Sequence, residues 1–346
     1  MTTPLNVALI GYGYAGRTFH APLLRAEPRF RLHTIVSSKG EQVLAEQAGV
    51  AVCSDPAQAL ANPAIDLVVI ASPNDSHFPL AEQALQAGKH VVVDKPFTTT
   101  ATEARLLQVL AGQRQRLLSV FHNRRWDADF LTLRQLLDAG TLGQISLFES
   151  RFERYRPQVQ VRWRESAVAG GGLWYDLGPH LLDQALQLFG TPQALHADLA
   201  TQRNGAVATD YFHVTLHYPR LRVLLSASCL VSGGSPRFAV HGALGSYVKY
   251  GLDTQEVQLK AGGQPGAADW GGDPLPGLHY VQQDGEPHGH AVPMLAGDYR
   301  RYYAGIAAAI LDGAANPVPA SEAALVMELI ELGIASAAQG HTLSVR

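Results

Sequence analysis

Cysteine is almost absent from this 346-residue chain, which carries only Cys53 and Cys229. Two thiols so far apart in sequence build no disulfide framework and show no metal-ligand spacing, so the expectation is reduced, buried thiols in a cytoplasmic protein. Excess charge is equally scarce: 27 Lys and Arg stand against 30 Asp and Glu, a formal net charge of −3. That balance offers no general basic surface for nucleic acid. No stretch approaches the roughly 18 apolar residues of a membrane helix, and the opening MTTPLNVALIGYG lacks the basic region of a secretory signal. With 47% hydrophobic and 16% charged residues, the chain has ample apolar content for real cores, at a length that predicts about two domains. Small molecules are therefore the expected partners.

Residues 5–17 read LNVALIGYGYAGR. The run from Leu5 to Ile10 is too continuously apolar for a half-exposed strand and fits a parallel strand covered on both faces. A helix is predicted from about Gly13 to Leu24. In this setting Gly11 makes the tight turn, Gly13 lets backbone approach a diphosphate, and Gly16 packs the helix closely on the strand. Tyr14 and Ala15 fall at the helix start, where unpaired amides meet phosphate charge. A bare G-x-G-x-x-G is weak; between a buried strand and a helix it reads as a dinucleotide site.

From Leu5 to about Phe121 strand-like and helix-like stretches alternate, the pattern of an α/β, Rossmann-type dinucleotide-binding domain over residues 1–122. Strands are predicted at Arg31 to Val36, Asp66 to Ala71, His90 to Asp94 and Leu117 to Phe121. Helices are predicted at Gly40 to Ala48, Phe78 to Ala87 and after Thr100, where Thr100 and Glu103 fit a capping box. Beyond residue 122 the rhythm changes. Helices at Asp127 to Ala139 and Trp174 to Phe189 and a strand at Ile145 to Phe152 precede a series of extended runs: Tyr211 to His217, Arg222 to Ala227, Arg237 to His241, Ser246 to Tyr250 and Glu256 to Lys260. This predicts an α+β domain, residues 123–346, with a large, mainly antiparallel open sheet. Residues 261–293, rich in Gly, Pro and Asp, read as a long surface excursion. Two closing helices, Gly297 to Leu311 and Ser321 to Ala338 with Ser321 as N-cap, are expected to pack back on the first domain.

The end of the second strand bears on the cofactor. A carboxylate there would take ribose hydroxyls and repel a 2′-phosphate; the chain has Ser37, Ser38 and Lys39 instead. Two hydroxyls and an ammonium suit a phosphate monoester, which favours NADP, while nearby Glu41 keeps NAD open. Ser72, Pro73, Asn74 and His77 follow the next strand, and Asp94, Lys95 and Pro96 the one after, where open α/β sheets bind ligands. Lys95, its backbone restricted by the following proline, can hydrogen-bond a substrate hydroxyl; His77 reads equally as a helix-start residue. On GGGLWYDLGPH, Asp176 and His180 stand four apart on one helical face. Read alone they are first a helix-surface ion pair, then a proton-transfer pair, and least of all metal ligands.

These motifs, in order along the whole chain, resemble the Gfo/Idh/MocA family of nicotinamide-dependent sugar and polyol dehydrogenases. IGYGYAGRTFHAPL, PNDSHFPLA, VVVDKPF, SVFHNRRWDADF, RWRE and WYDLGPHLLDQ resemble most its scyllo-inositol dehydrogenase branch. The resemblance implies a catalytic set of Lys95, Asp176 and His180, with Asn74 near the nicotinamide and Trp163 and Arg164 reaching the cofactor. It implies that His180 takes the proton of a ring hydroxyl, Lys95 binds that oxygen and Asp176 orients substrate or imidazole, without metal. Asp94 departs from the glutamate usual in the family. Asn123 and Arg125, beside Arg124 and Trp126, offer donors for a hydroxyl-rich ligand, or a salt-bridged surface. The expected reaction is scyllo-inositol to 2-keto-inositol, with NADPH-dependent reduction of an aldose or anhydro-ketose as the alternative. A dinucleotide-sensing regulatory protein is the reading of another class; retention of Lys95, Asp176 and His180 argues against it. By analogy with the family, a homodimer or homotetramer through the second-domain sheet is expected.

Overall fold

The computed structural model describes residues 3–160 and 165–345. Two units account for them: residues through Trp126 with Gln255–Trp270 and Asp298–Met327 form one, and Asp127–Thr254, Gly271–Gly297 and the residues from Glu328 form the other.

In the first unit six strands, β1 (Leu5–Ile10), β2 (Phe30–Val36), β3 (Ala51–Cys53), β4 (Leu67–Ile70), β5 (His90–Val93) and β6 (Leu118–Val120), make one all-parallel sheet. Its order is β3-β2-β1-β4-β5-β6, so the chain reverses direction across the sheet between β1 and β4, the place where doubly wound folds bind ligands. Every residue of β4 is buried, as continuous apolar runs require when helices cover both faces. Register then fixes the site: Ile10 pairs with Val36 and with Ile70, and Ile70 pairs with Val93. Four strands therefore end at one level, and Gly11, Ser37, Ala71 and Asp94 leave the sheet in a row. Helices α1 (Ala21–Ala26), α2 (Gly40–Glu46), α3 (Pro56–Ala61), α4 (His77–Gln86) and α5 (Ala101–Arg114) connect the strands. Thr100 caps α5 through the expected box: its Oγ1 accepts from Glu103 N–H at 3.2 Å and Glu103 returns an acceptor to Thr100 N–H at 3.1 Å.

The second unit carries α6 (Ala128–Asp138), α7 (Gly172–Phe189) and a nine-stranded sheet. Its strands are β7 (Ile145–Glu153), β8 (Ala194–Ala200), β9 (Tyr211–His217), β10 (Arg222–Ser228), β11 (Phe238–Gly242), β12 (Gly245–Lys249), β13 (Gly277–Gln283), β14 (Glu286–Val292) and β15 (Leu343–Ser344). Only the β7–β10 pairing is parallel; the other neighbours run antiparallel. β9 alternates strictly, with Phe212, Val214 and Leu216 buried, and α7 packs on β7, β9 and β10. The Trp174 ring meets Phe212 edge-on at 4.8 Å between centroids and donates its indole N–H to Ile330 O at 3.0 Å.

Four expectations are corrected. Residues 256–260 are helical rather than extended: Gln255–Lys260 places Gln255 and Leu259 on a buried face and pairs Glu256 with Lys260 one turn on, a four-residue period that the alternation of Val257 and Leu259 disguises. Within 261–293 lies the β13–β14 hairpin, turned at Asp284 and Gly285, both with positive φ; an Asp-Gly dipeptide between extended runs is the signal that marks it. The short elements β3 and α3 and the seven-residue β8 were not foreseen, β3 because three residues carry no measurable period. Ser321 lies inside the helix Ala320–Gln339 instead of capping it. No helix among the described residues is long and apolar enough to cross a membrane.

Candidate functional site

The glycine loop is built as its spacing requires. Gly11 has φ +97°, and a Cβ there would lie 2.6 Å from Ala71 O, so both conformation and space exclude a side chain. A Cβ on Gly16 would collide with Gly11 O, whereas one on Gly13 would meet nothing within 4 Å. Gly11 and Gly16 thus close the strand–helix turn, and Gly13 leaves open room above it. The helix after the loop is not uniform: Gly16–His20 form one π turn before α1 begins.

This loop borders a cleft of about 580 Å³ at the reversal point of the sheet. Of the cofactor residues expected from sequence, Gly11, Gly13, Ser37, Ser38, Lys39 and Ser72 line it. Ser37 N–H donates to Cys53 O at 2.9 Å, and Ser37 Oγ accepts from Lys39 N–H at 3.1 Å, which fixes the turn after β2. Among the described residues no acidic side chain belongs to the lining. Ser54, Pro56, Pro79, Leu80 and Gln83 also line it and escaped the sequence reading; Pro56 follows the Asp55 N-cap of α3, a local signal for that wall. A glycine cradle left open at Gly13, hydroxyls, an ammonium and apolar walls suit a dinucleotide.

Other predicted cofactor residues sit elsewhere in the unit. Tyr14 is 48% exposed, and its hydroxyl donates to Glu256 Oε1 at 2.7 Å. Ala15 is half-buried, Pro73 exposed and Asn74 buried. His77 is 1% exposed, with Nδ1 2.8 Å from Pro96 O and Nε2 3.0 Å from Ser72 O, so its ring ties the loop after β4 to the loop after β5. Burial pushes its pKa down against the pull of Asp94. Trp163 and Arg164 lie outside the described residues.

At the end of β5, Asp94 is 9% exposed and Lys95 is half-buried before a cis peptide to Pro96. Asp94 Oδ1 accepts from Lys95 N–H at 2.9 Å, and His20 Nε2 stands 3.7 Å from the same oxygen. Burial pushes the Asp94 carboxyl up, yet His20, Lys95 and His77 outweigh it and hold the group below the usual carboxylate range. Asn123 and Arg125 are buried in a 3-10 turn, Asn123–Trp126. Arg125 is engaged there by Pro317 O at 3.2 Å and Glu322 at 2.7 Å, and Arg124 by Glu256 at 3.2 Å.

In the second unit, Asp176 and His180 lie one turn apart on α7. His180 is 5% exposed and Asp176 is half-buried. Among the described residues no group of three or more His, Cys, Asp or Glu is placed to hold a metal ion. Asp176 borders a small cavity of about 30 Å³ together with Arg203, Glu165 and Asp210. Arg203 reaches Asp210 at 2.9 Å and Glu165 at 3.1 Å. The glycines before α7 serve this unit's own packing: a Cβ on Gly171 would lie 2.6 Å from Ser166 O, and Gly172, at φ +86°, fits against Thr209. A carboxylate and a buried imidazole on one helical face are a chemically competent proton-transfer pair.

Comparison with known proteins covers the whole chain. Residues 5–122 match the family model described as "Oxidoreductase family, NAD-binding Rossmann fold", and residues 134–345 match "Oxidoreductase family, C-terminal alpha/beta domain". An uncharacterized oxidoreductase of Escherichia coli, YdgJ, is 53% identical over 343 residues, spanning 99% of each chain. The scyllo-inositol 2-dehydrogenase (NADP(+)) IolW of Bacillus subtilis is 39% identical over 98% of this chain and 95% of its own. A solved structure from Yersinia pestis superposes with a TM-score of 0.96 at 51% identity, covering 100% of this chain and 98% of that one.

Proposed function

Because the chain belongs to the Gfo/Idh/MocA oxidoreductase family, an NAD(P)-dependent dehydrogenase by fold and descent, we propose that it oxidises a ring carbinol of a cyclitol, scyllo-inositol foremost, with NADP as the preferred partner. The observation that carries the cofactor preference is the cleft itself: Ser37, Ser38 and Lys39 stand where a ribose-binding carboxylate would exclude a 2′-phosphate. The NADP specificity and substrate printed for the Bacillus subtilis relative support the same reading.

When bound, the nicotinamide supplies a hydride acceptor for the carbinol carbon and a donor in reverse. Gly11, Gly13 and the helix start at Tyr14 and Ala15 hold the diphosphate, and Ser37, Ser38 and Lys39 hold the 2′-phosphate. Ser72, Pro73, Asn74 and His77 shape the wall after β4. Lys95 binds the reacting oxygen through its ammonium and stabilises developing alkoxide charge there. His180 accepts the hydroxyl proton at an imidazole nitrogen and returns it in the reverse direction, and Asp176 orients that imidazole or the substrate. Lysine supplies the electrophilic charge, so the mechanism calls for no metal. Asn123 offers a donor to a hydroxyl-rich ring. In this reading the protein works as a cytoplasmic homo-oligomer.

The test is reduced-nicotinamide formation by purified protein with scyllo-inositol, myo-inositol and several aldoses, each with NADP and NAD. The expected result is turnover of a cyclitol with NADP, reduced about 10²-fold or more in Lys95→Ala and His180→Ala while cofactor binding persists. Turnover confined to aldoses would replace the substrate; full turnover in His180→Ala would remove the assigned base.

A further inference from the structure

One face of α4 looks into the dinucleotide cleft. Ser76, the N-cap residue, lines it together with Pro79, Leu80 and Gln83, and their spacing puts all four on a single helical stripe. Gln83 stands about 10 Å along the helix from Ser76, the reach from a diphosphate to the base of its nucleoside. α3 packs beside α4, and its first residue, Pro56, belongs to the same lining, as does Ser54 before it. This part of the cleft therefore joins two prolines and a leucine to one primary amide, Gln83.

The other polar side chains of the lining are engaged or assigned. Tyr12 donates its hydroxyl to Glu46 Oε2 at 3.0 Å and accepts from Gln47 Nε2 at 2.8 Å. Ser72 and Ser76 Oγ lie 2.6 Å apart, and Ser76 donates onward to Pro73 O at 2.6 Å. Ser37, Ser38 and Lys39 are assigned to the 2′-phosphate. Gln83 differs: its carbonyl accepts from Ala87 N–H at 2.9 Å within the helix, while its side-chain amide has no hydrogen-bond partner among the described residues. A primary amide offers an acceptor and a donor side by side in one plane. Adenine offers the complement, a donor at N6 beside an acceptor at N7, and glutamine can meet both at once.

We propose that Gln83 reads the adenine of the bound dinucleotide: Oε1 accepts from the N6 amine, Nε2 donates to N7, and Pro56, Pro79 and Leu80 cover the faces of the ring. This rests on the reading of the cleft as the NADP site and adds to it the group that selects the base. Ser54 does not select, because a hydroxyl donates to an acceptor and accepts from a donor with equal ease. A purine with a carbonyl in place of the amine turns two acceptors toward Gln83, so the amide satisfies one and its own oxygen is left facing a lone pair.

The experiment reads binding and needs no turnover. Wild type, Gln83→Leu and Gln83→Glu are titrated calorimetrically with NADP and with nicotinamide hypoxanthine dinucleotide phosphate, in which a carbonyl replaces the adenine amine. Wild type is expected to bind NADP about tenfold more tightly than the hypoxanthine dinucleotide. In Gln83→Leu the NADP Kd rises about tenfold and the two dinucleotides bind within about twofold of each other. Gln83 is exposed, so the variant keeps the fold. Gln83→Glu retains the acceptor and loses the donor, which weakens both dinucleotides and preserves the preference for adenine. Equal Kd values in wild type overturn the proposal, as does a preference that survives in Gln83→Leu. If NAD binds more tightly than NADP, NAD and its hypoxanthine counterpart give the same test, since the base is shared. Wild type that binds none of these dinucleotides removes the cofactor site itself, a failure distinct from binding without preference.

Discussion

Lys39 is the residue on which cofactor choice turns most simply. It stands exposed at the start of α2, its backbone N–H held by Ser37 Oγ, in a cleft whose lining has no carboxylate among the described residues. Lys39→Glu places a negative charge where a 2′-phosphate would sit, so the ratio of kcat/KM for NADP over NAD should fall by about tenfold or more. Steady-state kinetics with both cofactors checks this, and an unchanged ratio would place the 2′-phosphate elsewhere. Much at this scale was legible in the sequence, because Gly11, Gly13, Ser37, Ser38 and Ser72 flank strands whose apolar runs are unmistakable. Two things were not. The burial of His20 depends on a π turn that no hydrophobic period announces, and the engagement of Arg125 depends on Glu322, nearly two hundred positions away in the chain.

At the scale of elements, the short helix Gln255–Lys260 is the piece the sequence misrepresented, since five alternating residues cannot separate a strand from one and a half helical turns. Tertiary contacts settle it: Gln255 donates to Trp126 O at 3.1 Å and accepts from Tyr299 N–H at 2.7 Å. On its other face Glu256 gathers Tyr14, Arg124 and Lys260, at 2.7, 3.2 and 2.7 Å. Burial pushes the Glu256 carboxyl up, but Arg124, Lys260 and Tyr14 prevail and bring it from 4.5 down to about 2. A carboxyl with a depressed folded-state pKa contributes stability above its unfolded pKa and loses it as pH falls toward the folded value. The wild type should therefore melt higher than Glu256→Gln at pH 7, with the gap closing as pH drops from 4.5 to about 2. Thermal melts of both proteins along that series test it, and a gap that stays constant with pH would show that Glu256 acts by packing rather than charge. The β13–β14 hairpin teaches the complementary lesson: its Asp284-Gly285 turn was in plain sight, hidden only by the Gly and Pro content around it.

At the scale of the molecule, the alternation of apolar strands and helices through Phe121 was enough to give a parallel sheet, and the 3-2-1-4-5-6 order places its reversal at the glycine loop. The mainly antiparallel nature of the second sheet followed from runs such as Tyr211–His217, whose period of two is complete. Its full width did not, because β8, β13 and β14 carry mixed or exposed faces. Discontinuity was the harder matter: each unit draws on separate stretches of chain, and composition holds no record of which segment returns where. In the function proposed, this family member moves a hydride from a cyclitol carbinol to NADP. Incubation of the wild-type protein with NADP and scyllo-inositol deuterated at carbon, followed by mass analysis of the nicotinamide product, tests it most directly. The expected product is reduced cofactor carrying a single deuterium at the nicotinamide ring, with the label absent when Lys95→Ala replaces wild type. Reduced cofactor without deuterium, or NADP that binds and stays oxidised, would contradict it.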